Sequence, residues 1–172
     1  STTTLSVTLG SINGTRLIGS DDITVSGLTT LSRNSYLAGS GVLNANGGLI
    51  VDATAGWVSV DRSVLNITGT VTHTGGAFYA GLGAVINLLP GSVWDMQAGA
   101  FFLLNPGARP TFNNQGTFIK SAGTGVVGMP FIFNNSGSVD IQAGALSLTG
   151  GGISTGSVAV PTGTALTASE YV

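Results

Sequence analysis

Two stretches, "FNNQGTFIK" (Phe112–Lys120) and "FNNSGSVDI" (Phe133–Ile141), carry one pattern, Phe-Asn-Asn-x-Gly-Thr/Ser-apolar, twenty-one residues apart. Around them a shorter beat runs along the chain. Glycine opens one brief apolar run after another, as in Gly41-Val-Leu, Gly48-Leu-Ile-Val, Gly56-Trp-Val-Ser-Val, Gly83-Ala-Val-Ile and Gly91-Ser-Val-Trp, at intervals of mostly seven or eight residues. Within the runs apolar residues alternate with polar ones: Val139 and Ile141 flank Asp140, and Leu146 and Leu148 flank Ser147. Alternation with period two is the mark of a strand with one buried face. Helical i, i+3, i+4 spacing is missing, and a glycine every seven residues would cost a helix about 1 kcal/mol each time.

Three such strands with their turns sum to roughly 21–23 residues, the length of one coil of a parallel β-helix. The expected fold is therefore all-β, a β-solenoid with three short strands per coil, running as one domain over residues 1–172. An antiparallel sandwich also has short strands and Gly turns, but its turn signals recur every 8 to 12 residues, a slower beat than this one. Residues 1–38 have weaker spacing and read as less regular opening coils. Residues 105–111 and 123–130 carry the prolines Pro106, Pro110 and Pro130 and read as loop insertions or bulged corners, since proline cannot donate to a ladder.

One coil apart, equivalent residues lie about 4.8 Å from each other. Phe112 should then stack on Phe133 in the interior, and Asn113/Asn134 and Asn114/Asn135 should form amide ladders at a corner. Gly116 and Gly137 suit that corner through their tolerance of left-handed backbone, which Asn shares to a smaller degree.

Composition narrows the function. Charged residues make up 7% of the 172 and hydrophobic residues 42%, with 28 glycines and no cysteine. The mean hydropathy is +0.44. That is ample material for a core, with solubility resting on hydroxyls and amides. Five basic and seven acidic residues, scattered singly, supply no stripe for phosphates and no polybasic run for lipid, so neither nucleic acid nor membrane insertion is expected. Without cysteine there is no disulfide framework and no thiolate chemistry. A cysteine-free, Gly/Ser/Thr/Asn-rich chain leans towards an exported bacterial protein, secreted or at the cell surface.

At "VSGLTTLSRNSYLAGSGVLNANGGLIVD" (25–52), "FNNQGTFIKSAGTG" (112–125) and "FNNSGSVDIQAGALSLTGGG" (133–152) the chain resembles the Gly-rich repeat regions of large bacterial secreted and surface proteins. These are the filamentous-haemagglutinin-like and autotransporter-passenger group, and the likeness extends over residues 23–160. What the resemblance implies is a parallel β-helix used as a stalk or adhesive surface; it carries no catalytic residue over.

Chemistry has few candidates. Asp52, His73 and Asp95 each stand four places after a glycine (Gly48, Gly69, Gly91) and lie 21 and 22 residues apart, so they are expected to form a column on one face. Such a column could do acid/base work or hold a metal through one His and two Asp, but its plainer reading is a solvated row in which His73 pairs with the flanking carboxylates. Asp61-Arg62 reads as a corner ion pair. Trp57 and Tyr79 fit either the interior or an outward platform for sugar rings, whereas Trp94 is expected in the core. No catalytic residue, metal site or cofactor is assigned. The expected partners are neighbouring coils, copies of the chain stacked end to end into a filament, and possible contacts with glycans or a host or biofilm surface through Trp57, Tyr79, Asp52, His73 and Asp95.

Overall fold

The computed structural model describes residues 6–11, 13–97 and 99–171, which form strands and turns and contain no helix. Residues 1–5 of the opening segment lie outside the described residues. Twenty strands wind into a β-solenoid of about eight coils. Coil one holds β1 (Val7–Leu9), β2 (Thr15–Ile18) and β3 (Ile23–Val25), and coil two holds β4 (Thr29–Ser32), β5 (Ser35–Ala38) and β6 (Val42–Ala45). In coils three and four the first two strands fuse around the corner, giving β7 (Leu49–Asp61) with β8 (Val64–Ile67), then β9 (Thr70–Gly81) with β10 (Val85–Leu88). Coil five comprises β11 (Val93–Met96), β12 (Ala100–Leu104) and β13 (Thr111–Asn114); coil six comprises β14 (Thr117–Lys120), β15 (Val126–Met129) and β16 (Ile132–Asn135). Coil seven carries β17 (Ser138–Ile141) and β18 (Ala145–Leu148), and coil eight β19 (Ser157–Ala159) and β20 (Ala165–Ala168). On the third side these last coils make single parallel bridges, Asn135 to Ser154 and Gly152 to Tyr171.

All pairing is parallel, each strand on its equivalent in the next coil. Face one runs β1, β4, β7, β9, β11, β14, β17, β19, and face three runs β3, β6, β8, β10, β13, β16. Face two runs through β2, β5, the second halves of β7 and β9, and β12, and resumes in β15, β18 and β20. Coil length, read from the register, ranges from the 19 residues between Val139 and Val158 to the 26 between Ile86 and Phe112. The longest coil contains residues 105–110, an irregular loop as expected, from which Arg109 donates to the Gly150 carbonyl at 3.0 Å. The second expected insertion is not all loop: Val126–Met129 form β15 and pair in register with β18, and Pro130 falls just after the strand, where no ladder donor is needed. The irregular opening is likewise shorter than expected, because β4 and β5 already alternate buried and half-buried along their length.

The interior is filled by the inward half of each alternation. Phe112 stacks on Phe133 with centroids 5.4 Å apart and planes 28° from parallel, and both are fully buried. They belong to a run of rings through coils four to six, His73, Phe78, Trp94, Phe102, Phe112, Phe118, Phe131 and Phe133, most of them meeting edge to face. One interior column reads Leu9, Leu31, Val51, His73, Met96, Lys120, Ile141. Lys120 is tolerated there because its ammonium donates to three backbone carbonyls, of Ala122 at 2.9 Å, Gly123 at 2.7 Å and Ala143 at 2.9 Å. Asp140 pairs with Ile119, not with Lys120, so carboxylate and ammonium lie on opposite sides of the sheet.

Both expected amide ladders form. Asn134 donates to Asn113 at 2.9 Å on the outside, and Asn114 donates to Asn135 at 2.8 Å on the inside. The outer ladder is far longer than the repeat at Phe112 and Phe133 indicates. It continues through Asn87, Asn66 and Asn44, each amide donating to the one before at 2.8–2.9 Å, and ends on the Thr24 hydroxyl. The glycines beside the ladder have a different reason from the one expected. Neither Gly116 nor Gly137 adopts positive φ. A Cβ on Gly137 would instead sit 2.1 Å from the Gly116 carbonyl oxygen, and one on Gly116 would sit 2.3 Å from that of Ser92. Close approach of successive coils, not backbone handedness, demands glycine there.

Candidate functional site

Face two of coils one to five presents an outward grid of side chains that the alternation dictates. One column reads Arg16, Tyr36, Ser59, Tyr79, Leu103, a second Trp57, Ala77, Phe101, and a third Ile18, Ala38, Asp61, Gly81. Large rings thus stand beside Ser59, Ala77 and Gly81, and the small residues leave a hollow between them. Tyr36, Trp57, Ser59, Tyr79 and Asn105 line an open cavity of about 270 Å³.

Local backbone sets the rim. Opposite Gly76 and Ala77 of coil four, coil three carries the extra residues Thr54, Ala55 and Gly56 as a bulge between Ala53 and Trp57. Gly76 turns this corner at φ 77°, pressed so close to coil three that a Cβ would lie 2.0 Å from the Ala53 carbonyl oxygen. Trp57 leaves the bulge pointing outward and is 37% exposed. Arg16 lies over the Tyr36 ring, its guanidinium carbon 5.1 Å from the centroid, within cation–π range.

The polar part of the lining, Ser59 and Asn105, is held still by Asp61 behind it. Asp61, 5% exposed, accepts from the Tyr36 hydroxyl at 3.1 Å and from the Asn105 amide at 3.0 Å to each carboxylate oxygen. The same amide donates to Ser59 Oγ at 2.7 Å. Asn105 spans two coils to reach these groups because Gly81, between them, has no side chain; a Cβ there would meet that of Asn105 at 2.5 Å. Burial, the hydrogen bond to Asp61 and its negative charge raise the Tyr36 pKa above the ordinary phenol value. The corner ion pair expected of Asp61 and Arg62 does not form: Asp61 is taken by Tyr36 and Asn105, and Arg62 is an exposed corner residue at φ 62°.

The expected Asp52/His73/Asp95 column does not exist. His73 pairs in register with Val51 and Met96 and is fully buried, whereas Asp52 pairs with Gly75, and Asp95 with Thr72, on the outside. Among rings of Phe78, Trp94 and Phe102 at 5.6–6.2 Å, neither His73 nitrogen has a hydrogen-bond partner. Burial lowers its pKa from 6.5 to about 4, with the Gly76 backbone opposing weakly. Asp52 accepts from the Thr54 hydroxyl and amide, and the hydroxyl bond chiefly lowers its pKa. Asp95 accepts from Gln97 at 3.2 Å and from Ser121, and Asp140 from Gln142 at 2.7 Å. Among the described residues no three His, Cys, Asp or Glu gather as metal ligands.

Of the five residues proposed to contact a glycan or surface, Trp57 and Tyr79 are brought together on face two, and Asp52, His73 and Asp95 are not part of that hollow. Tyr36, Ser59 and Asn105 complete its lining, with Asp61 bonded behind it and Arg16 over the Tyr36 ring. Their sequence signal is Ser35-Tyr36-Leu37, Val58-Ser59-Val60 and Phe78-Tyr79-Ala80, three alternating strands whose central residues fall in one outward column. The Asn ladder had an equally plain signal, an apolar residue followed by Asn in Leu43-Asn44, Leu65-Asn66 and Ile86-Asn87. Comparison with protein families, curated proteins and solved structures returns no match for this chain.

Proposed function

We propose that the chain is a non-enzymatic structural segment of an exported bacterial protein, a stiff rod whose flanks serve as a surface for contact. The observation that carries this reading is the continuous pairing along face one. From β1 to β20 each coil bonds to the next by parallel pairing, backed on face three by the Asn44–Asn134 ladder. In such a stack every coil is braced by its neighbours, a construction suited to holding length and shape. Against catalysis stands the separation of the titratable groups: the single histidine is sealed in the core, and Asp52, Asp61, Asp95 and Asp140 accept from neutral partners. Export is supported by the composition and by the rhythm shared with surface-protein repeats.

A second reading, end-to-end self-association, is favoured by one feature. Val158, stacked on the buried Val139, is 44% exposed, an apolar surface that a further coil, of this or another copy, would cover. Small-angle scattering across a concentration series tests both. Eight coils at about 4.8 Å each give a stack of roughly 38 Å. A maximum dimension that stays constant with concentration is expected of the rod; growth with concentration would replace it with the filament, and release of reducing ends from polysaccharide would replace it with an enzyme.

A further inference from the structure

We propose that the hollow bounded by Tyr36, Trp57 and Tyr79 binds a pyranose oligosaccharide. This goes beyond the rod reading and does not depend on it.

The rings do not serve the fold. The outward column of face one reads Thr30, Ile50, Thr72, Asp95, Ile119, Asp140, so an outward strand position here needs no aromatic side chain. Yet on face two Trp57 is 37% and Phe101 41% exposed, side by side in one column with only Ala77 between. Exposed apolar surface gathered at one place marks a contact site.

The floor selects the occupant. A membrane or an apolar protein face would have to cover the Ser59 hydroxyl and the Asn105 amide without bonding to them, which is costly. A nucleic acid would need a run of cations, and beside these rings stands Arg16, over Tyr36. A pyranose has both surfaces this hollow requires: axial C–H faces that lie on aromatic rings and equatorial hydroxyls that reach fixed polar atoms. Those atoms are immobilised before any ligand arrives. Asp61, behind the lining, holds the Tyr36 hydroxyl and the Asn105 amide; Asn105 Oδ1, which accepts no hydrogen bond among the described residues, can take a sugar hydroxyl, and Ser59 Oγ, already accepting from Asn105, keeps its proton to donate. The Tyr79 hydroxyl makes no hydrogen bond among the described residues and stands at the rim. Successive rings at Tyr36, Trp57 and Tyr79 come from successive coils, so the site runs along the stack and fits a linear chain of sugars.

Tryptophan fluorescence provides the test, because Trp94 is fully buried and a ligand-induced change reports Trp57. The purified chain is titrated with tetrasaccharides of β-1,4-linked glucose, β-1,4-linked N-acetylglucosamine and α-1,4-linked galacturonate. Saturable change with at least one of them is expected, and isothermal titration calorimetry with that sugar, which needs no reporter ring, should show affinity weakened about tenfold or more in Trp57→Ala and several-fold in Tyr79→Ala. Both variants should keep the wild-type circular dichroism, since neither side chain enters the core. No saturable change with any of the three up to millimolar concentration, or binding that survives Trp57→Ala, would overturn the site. So would concentration-dependent association of the unliganded chain that Trp57→Ala abolishes, since the hollow would then be a contact between copies. Failure here leaves the scattering dimensions of the rod untouched, so the two readings fail separately.

Discussion

At the scale of single residues the interior column Leu9, Leu31, Val51, His73, Met96, Lys120, Ile141 poses the sharpest question, because two of its members carry ionisable groups in a stack of apolar side chains. Lys120 is satisfied by three carbonyls; His73 has none and must stay neutral. Its folded-state pKa of about 4 lies below the ordinary 6.5, so between these values the unfolded chain binds a proton that the folded chain refuses. Stability is therefore full above about pH 6.5, declines as the pH falls through this window and levels off below about 4, for a total loss of roughly 3 kcal/mol. Urea midpoints measured from pH 7 to pH 4.5 should fall steeply in the wild type and remain nearly flat in His73→Leu. The contribution of Asp52, whose pKa is lowered from 3.8, is lost at still lower pH and does not overlap. A wild-type midpoint that is constant over the window would mean the imidazole is not sealed. The sequence misled on this residue for a physical reason. Counting four places from Gly48, Gly69 and Gly91 assumes that each glycine holds the same place in its coil, but Leu49 pairs with Val71 and Val71 with Trp94, which sets the three glycines at successive register positions. A shift of one residue along a strand moves a side chain to the other face.

At the scale of elements, what was legible was whatever repeats with constant length. Phe112 and Phe133 are separated by one coil without insertion, so their stacking, the paired amides and the parallel class of the sheet could all be read from two similar strings. The loop after Leu104 and the bulge before Trp57 change coil length, and beyond such places counting loses the register; the grouping of Trp57 with Tyr36 and Asn105 was out of reach because it depends on those insertions. The role of glycine was half legible, as its frequency signals corners while its reason differs from one corner to the next. Two substitutions separate the reasons. Gly137→Ala forces a Cβ against the Gly116 carbonyl, with backbone on both sides unable to yield, and should cost about 2–3 kcal/mol. Gly128→Ala, in β15, meets nothing within 4 Å and needs no positive φ, so it should be neutral or stabilise by about 0.5 kcal/mol through reduced chain entropy. Chemical denaturation of the two variants decides it; equal effects would mean that coil spacing at the ladder is loose enough to absorb a methyl group.

At the scale of the whole molecule a solenoid has no centre, and stability should vary along its axis, since each coil is held only by its neighbours. The variation is set by what fills each coil. Coils four to six contain the joined rings from His73 to Phe133, and the inward residues of β9, β11, β13 and β14 are fully buried. At one end β19 is exposed throughout, and at the other β2 alternates only half-buried with exposed residues. Local opening follows buried contact, so amide exchange should be slowest in residues 70–120 and fastest, among strand amides, in β19, β20 and β2, with protection differing by at least about a hundredfold, or 2.7 kcal/mol. Trp94→Ala makes the gradient informative. Removing a buried indole costs about 3–5 kcal/mol, and in a nearest-neighbour stack that loss should lower protection in coils four to six while leaving the exchange of coil eight near its wild-type rate. If protection instead fell equally in all eight coils, the rod would be a single cooperative block in which packing at any coil is shared by every other. Stability would then be a property of the whole length, and the gradient of ring content along the axis would not set it locally.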